Sequence, residues 1–520
     1  MTGAMTGSAD VVVIGAGHNS LIGAAYLAAA GLEVVVLEEQ PHVGGNTVTE
    51  ELTLPGFRHD SCSSAHVLIQ TNPVIRDDEL GLLSRFRLRY VHTDPAVVLP
   101  LADGDALVMS RDRAETAADL ARENAADGDA YLQLLADWEG GLAAAHSRWN
   151  AGRLDPASST ADAAYEALRS RSAHEVIAER FASDRARDLL TWLSFATITD
   201  VRRAGTGILP FSITAGRSSF GWATPLGGSG ALPAALVAAI ESHGGRVLTG
   251  RPVERVEVRD GRAVGVVTAD GERWAARRAV LSSAHITQLA GMLDGAEPPA
   301  ELRSAAETWR SGLTLFAVHL ATDRDLAYDT AKGPVAAVAG GIGSARGLYA
   351  QLDAHARGET YAEDPWVLIV NSTVVDPDRA PDGQGLVKLL TFAPRDLARG
   401  GDWAVERERY AAQVVARTAE RVPGLRSEHV LAVRGEAPVD LEARNRHNVG
   451  GSCHGGEFRL PSGEVLVGWP SYRLPVPGLY QTGATAHPGG SVSGRAGRNA
   501  ARAVLTDLGI DPATVMGPGA

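Results

Sequence analysis

Residues 11–49 read VVVIGAGHNSLIGAAYLAAAGLEVVVLEEQPHVGGNTVT. The β-branched run Val11–Ile14 ends at a glycine turn, Gly15-Ala16-Gly17. A helix of small residues follows, opening near His18, Asn19 and Ser20 and running through Leu21–Gly31. A second apolar strand, Leu32–Leu37, is closed by Glu38. Strand, turn, helix, strand and acid in that order form a βαβ unit of dinucleotide-binding type. Gly15 permits the tight turn. Gly17 has no Cβ, so a pyrophosphate can approach the backbone. The helix N-terminus offers free N–H groups and a positive dipole end to the phosphates. Glu38 lies 23 positions beyond Gly15, where an acid accepts hydrogen bonds from ribose hydroxyls and repels a 2′-phosphate. Ser20 stands where the fingerprint has its third glycine, which places a hydroxymethyl group where helix and strand are expected to pack closely.

A second glycine pair, Gly44-Gly45, follows within seven positions of Glu38 and leads through Asn46 to Thr47. Paired glycines there let further backbone N–H groups, with Glu39 nearby, reach a second stretch of phosphate or the flavin side. That favours FAD over NAD. Near the other end, Gly478–Ala484 reads as a strand into a turn. Pro488-Gly489-Gly490-Ser491-Val492 then leads into a helix over Ala496–Leu505. Such a turn aims N–H groups at the negative charge that a reduced flavin carries.

The rest of the chain divides by pattern. The 113–124, 131–149 and 173–193 stretches carry helical periodicity and form an insert. A helix at Ala231–His243 precedes short strands at 246–248, 252–259, 263–269, 272–275 and 279–283, with Asp260-Gly261 and Asp270-Gly271 as hairpin turns. Residues 285–440 alternate strands (313–320, 366–372, 387–392) with a long helix at 403–422, an antiparallel cap over a pocket. The fold class expected is α/β with an α+β cap: a discontinuous Rossmann-type FAD/NAD(P)-binding domain from 1–70, 215–290 and 440–520, and an interleaved substrate domain of antiparallel sheet and helices from 71–214 and 291–439.

With 520 residues the chain is long enough for two or three domains. The net charge of −13 and the lack of a Lys/Arg block argue against a nucleic-acid partner. The arginine pairs 202–203 and 277–278 read as solvated faces. The first ten residues lack the basic and apolar regions of a signal peptide, and no apolar run approaches the ~20 residues of a membrane helix. The expected compartment is the cytoplasm; peripheral membrane contact and homo-oligomerisation both stay open. Two cysteines, Cys62 and Cys453, make no disulfide framework and no metal pair. They read as reduced thiols, with a flavin-linked or active-site cysteine as the alternative. No spacing points to a metal.

The segments IGAGHN (14–19), LEEQPHVGGNTVTEE (37–51), LPGFRHDSCSSAHV (54–67) and VPGLYQTGATAHPGGSVSGRAGRNAA (476–501) together resemble the phytoene desaturase-like branch of the flavin amine oxidase superfamily. The PYROXD-type, phytoene dehydrogenase-related oxidoreductases are the nearest sub-branch. The resemblance covers the nucleotide domain and weakens in the insert and cap. It implies that Gly15, Gly17 and Glu38 hold pyrophosphate and ribose, that Gly44 and Gly45 run along the phosphates, and that Val253 meets the adenine through its backbone. It also implies that Gly483 with Ala484, and Gly489 through Val492, line the flavin, beside His66 and Ser282. Gln481, like Ser20, departs from the usual small residue.

In such proteins the flavin is the reactant and the chain orients a C–H over it. The expectation is hydride transfer from an activated carbon of a small, hydrophobic substrate, with oxygen or another acceptor reoxidising the flavin. An amine or alcohol oxidase, a non-redox isomerase and an inactive flavin-binding scaffold are the alternatives. Candidate acid–base residues are His66, His454, His487 and Tyr472, the histidines because an imidazole titrates near neutral pH. Each also has a purely structural reading.

Overall fold

The structure is a computed structural model describing residues 5–517. Its first sheet is built around the parallel strands Arg273–Ser282, Met5–Ile14, Val34–Leu37 and Arg246–Leu248, adjacent in that order. Leu479–Gln481 adds a further parallel strand beside residues 280–282. The buried β-branched runs Val11–Val13 and Val34–Val36 supply the two-sided apolar surface that a covered parallel sheet needs. Val253–Arg259 and Arg262–Thr268 form a hairpin on the amino-terminal half of 273–282, and Leu293–Asp294 edges it.

The sequence suggested two strands at 272–275 and 279–283; the structure has one of ten residues. Register slips between Ala276 and Ala279, at Arg277-Arg278. This β-bulge explains the apparent break: it interrupts the alternation without ending the strand. Arg277 reaches Asp10 (3.1 Å) and Glu33 (2.6 Å), so it is paired as well as solvated.

The helix His18–Ala29 lies over this sheet between the helices Ala231–Ser242 and Arg495–Asp507. Its close approach to the sheet falls at Gly23, where a Cβ would stand 2.9 Å from Leu281 Cδ2. Ser20 therefore does not occupy the tight contact that the fingerprint position suggested.

A second sheet orders Val430–Glu436, Leu315–Thr322, Gly385–Phe392, Val367–Asn371, Ala339–Ile342, Val97–Pro100 and Ala106–Met109. Its pairs are antiparallel except the contact of Gly340 with Val98. One face packs under the helix Trp403–Ala419 through Phe316, Val318 and Leu389. The opposite face packs Leu315, Leu368 and Val370 against the helical insert. The insert's helices start at side-chain caps where the sequence supplies them: Asp112, Asn124, Ser159, Ser172 and Ser183 each accept a backbone N–H. Leu209–Phe220, which the sequence reading left unassigned, is a helix with Pro210 in its first turn. Among the described residues no helix is long and apolar enough to cross a membrane.

Candidate active site

The carboxyl ends of the parallel strands share one edge. Gly15 N–H continues the ladder to Leu37 O (2.8 Å), Ser283 N–H to Ile14 O (3.1 Å) and Thr482 N–H to Ser282 O (2.8 Å). A cavity of about 760 Å³ opens at this edge and runs on to the second sheet. The crevice beyond the strand ends is where open α/β sheets bind ligands.

The chain turns at Gly15 with φ +84°, and a Cβ there would lie 2.4 Å from Ser283 Oγ. Gly17 opens the helix with no side-chain cap, and a Cβ on it would meet nothing within 4 Å. The first-turn N–H groups thus face the cavity uncapped. Ser20 Oγ, buried on the cavity wall, has no hydrogen-bond partner in the protein. Glu38 Oε2 accepts from Ala16 N–H (2.6 Å) and Oε1 from Gln40 N–H (2.8 Å). Burial raises its carboxyl pKa while those two N–H groups oppose the rise. Gly44, at φ +119°, returns its N–H to Ala16 O (2.8 Å). Open backbone donors, an orphaned hydroxyl and a braced acid fit a dinucleotide carrying phosphates and ribose.

The carboxyl-terminal turn closes on this cradle. His18 hydrogen-bonds the Ser491 backbone, and burial pushes its pKa down to about 4. Asn19 Oδ1 accepts from Gly497 N–H (3.2 Å). Arg498 pairs with Glu79 (2.7 Å), which also takes the Tyr26 hydroxyl.

Most residues expected at the cofactor line the cavity, including Glu39, Asn46, Thr47, Val253, Gly483, Ala484 and Gly490–Val492. Three do not. Ser282 is fully buried and gives its place to Ser283; its Oγ accepts Ala284 N–H (3.1 Å). Gly489 sits behind Gly490, near Val467. His66 is also absent from the wall.

The segment 62–65 runs along the cavity because its flanks are tied down. Asp60 forms a buried ion pair with Arg379 (3.0 Å) and accepts from Ser229 N–H (2.8 Å). Lys388 Nζ donates to the carbonyls of Ser61 (3.1 Å) and Cys62 (2.5 Å). His66 is turned away, held between the Tyr90 hydroxyl and Ser229 Oγ, each at 3.1 Å. Burial drives its pKa to about 3. His487 bonds the Trp149 carbonyl through Nε2 (2.7 Å), with the two rings edge to face. Tyr472 accepts from Asn499 Nδ2 (2.7 Å) inside the core beneath the cradle. All three lie off the cavity wall, with these polar atoms engaged inside the protein. Of the four proposed acid–base residues, His454 alone lines the cavity, beside Cys453. Burial lowers its pKa, leaving a neutral imidazole.

Sequence reasoning missed Lys388, Arg217, His285 and His447, all on the wall. Lys388 carried a signal: it interrupts the apolar run Leu386–Leu390 and is one of two lysines in the chain. On the second sheet it lies in register with His319 and Val370, and Leu390 with Leu368. Alternation along paired strands therefore brings Lys388, Val370, Leu390 and Leu368 to the same cavity-facing side. Cys62 and Cys453, far apart in sequence, meet here. Their mutual hydrogen bond raises the Cys62 thiol pKa and lowers that of Cys453.

The family model described as "Flavin containing amine oxidoreductase" matches residues 21–505. The chain is 28% identical to mouse pyridine nucleotide-disulfide oxidoreductase domain-containing protein 2, over 96% of this chain and 94% of that protein. It is 25% identical to a limonene dehydrogenase polypeptide of Castellaniella defragrans, over 96% of this chain and 95% of that one. In fold it matches a solved putrescine oxidase bound to putrescine, with a TM-score of 0.63 and 16% identity over 96% of this chain and 99% of that one. With its cradle suited to FAD, the chain belongs to the flavin containing amine oxidoreductase family and is an FAD-dependent oxidoreductase.

Proposed function

We propose that the protein dehydrogenates a small hydrophobic substrate held between the cofactor and the second sheet. FAD would lie in the cradle contributed by 1–70, 215–290 and 440–520, with 71–214 and 291–439 supplying most of the substrate wall and Arg217 and Trp222, just beyond the first boundary, completing it. The observation that carries this reading is the continuity of the cavity. Its nucleotide end has uncapped N–H groups and Glu38; its far end is walled by Leu315, Leu368, Val370, Leu390, Ile213 and Trp222. When bound, FAD supplies a two-electron acceptor for a hydride leaving an activated C–H. The apolar wall positions that carbon and excludes water. In this reading His454, neutral and on the cavity wall, takes a proton from the substrate. The name of the limonene dehydrogenase relative supports an apolar substrate.

An amine substrate is served less well. The carboxylates on the wall, Glu38, Glu39 and Glu254, belong to the nucleotide end, while the far end carries Lys388 and Arg217. A protonated amine would meet cations there and no counter-charge. Anaerobic mixing of the FAD-loaded protein with apolar donors tests the reading. Bleaching of the flavin band by an alkene, allylic alcohol or terpene is expected. Bleaching by amines alone would replace the reading with an amine oxidase, and a rearranged product without bleaching would replace it with an isomerase.

A further inference from the structure

Among the described residues, Arg217 is the one strongly basic group on the cavity wall whose buried donors lack acceptors. It sits in the last turn of the helix Leu209–Phe220, only 7% exposed. Its guanidinium carbon lies 3.9 Å over the centre of the Trp222 ring. Both Nε and Nη1 are buried without a hydrogen-bond partner, and so is Trp222 Nε1. Arg217 and Trp222 both line the cavity. Lys388, which also lines this cavity, is occupied by backbone carbonyls. Burial is the sole influence on the Arg217 pKa, and lowers it to about 9, so the group is still a cation at neutral pH.

Three buried donors and no acceptor make an arrangement that is costly when left unmatched. A desolvated guanidinium without a counter-ion is unfavourable, and the cation–π contact with Trp222 offsets part of that cost without supplying an acceptor for its N–H groups. A carboxylate would satisfy Arg217 through Nη2 together with either Nε, side-on, or Nη1, end-on, while Trp222 backs the guanidinium face. Apolar residues, Ile213 and Val67 among them, line the wall nearby, so the anion must be attached to an apolar body.

We propose that Arg217, stacked on Trp222, anchors a carboxylate at one end of an otherwise apolar substrate, orienting the opposite part of the molecule toward the cofactor. This rests on the dehydrogenase reading above and narrows its substrate class to hydrophobic carboxylic acids. Arg217 is a specificity-determining residue in this scheme and takes no part in proton transfer.

The test uses decanoate and decan-1-ol as probes of equal chain length, titrated into the FAD-loaded protein and followed by perturbation of the flavin spectrum and by calorimetry. Decanoate is expected to bind at least about tenfold more tightly than the alcohol. Arg217→Met should erase that preference, leaving alcohol binding and FAD content unchanged, and Arg217→Lys should restore part of it. Equal affinities in the unmodified protein would overturn the anchor and leave the apolar-substrate reading standing. Binding of neither probe would remove both. Loss of FAD from Arg217→Met and Arg217→Lys alike would overturn the anchor by showing that the cation serves the cofactor.

Discussion

At the residue scale, the four acid–base candidates differ in what their polar atoms already touch. His66 and His487 spend ring nitrogens on Ser229, Tyr90 and Trp149. Tyr472 accepts from Asn499. His454 lines the cavity. Replacing His454 with alanine should slow flavin reduction about 100-fold at unchanged FAD content, read by anaerobic stopped-flow; an unaltered rate would assign it to structure. His487→Ala should instead lower the thermal midpoint and spare the reduction rate. Three fully buried histidines set an acid limit. His59 and His285 are pushed down to about 2 and His66 to about 3, chiefly by burial. Each stays neutral in the folded protein while the unfolded chain protonates below about 6.5. Stability is therefore lost as pH falls from 6.5 toward the folded values, by about 1.4 kcal/mol per histidine for each pH unit. Thermal midpoints at pH 7.5 and 5.0 check this; equal values would contradict neutral burial.

At the scale of elements, the βαβ unit was legible because glycine spacing and apolar periodicity report the same thing. The division of labour within its helix was not. Ser20 and Gly23 lie one turn apart, and only packing shows that Gly23 meets Leu281 while Ser20 lines the cavity with its Oγ unpartnered. Ser20→Ala should therefore weaken FAD binding about tenfold, the worth of a hydrogen bond to a charged group, with the thermal midpoint of the FAD-free protein unchanged. Gly23→Val should do the reverse, costing about 1–3 kcal/mol of stability through overpacking. Denaturant titration and FAD titration of the two variants separate these outcomes. The second sheet was less legible. Leu315–Thr322 is buried at every position, so no alternation marks which side faces the cavity. Lys388 supplied the hint, but its role in holding Ser61 and Cys62 depends on a partner segment more than 300 residues away. Arg217 left no hint at all, since it stands in an unassigned segment between Ala215-Gly216 and Ser218-Ser219 where no pattern marks a buried face.

Across the whole molecule, the glycine turns at both ends were readable, and the cofactor assignment followed from them. What sequence could not supply is the wall between them, which is assembled from the insert, the second sheet and the segment 62–65. A site contributed by so many separate stretches should couple cofactor binding to global stability. Free FAD at 1,000 times its Kd should stabilise the fold by about 4 kcal/mol. Calorimetric scans of FAD-stripped and reloaded protein check this, and coincident midpoints would mean that the cradle is independent of the rest. The clasp between His18-Asn19 and Ser491–Gly497 carries a further consequence. During translation, the first strand, turn and helix emerge long before their carboxyl-terminal partner has been synthesised. A nascent chain has half a nucleotide pocket for most of its time on the ribosome, so loading with vitamin-derived cofactor becomes a late, essentially post-translational event.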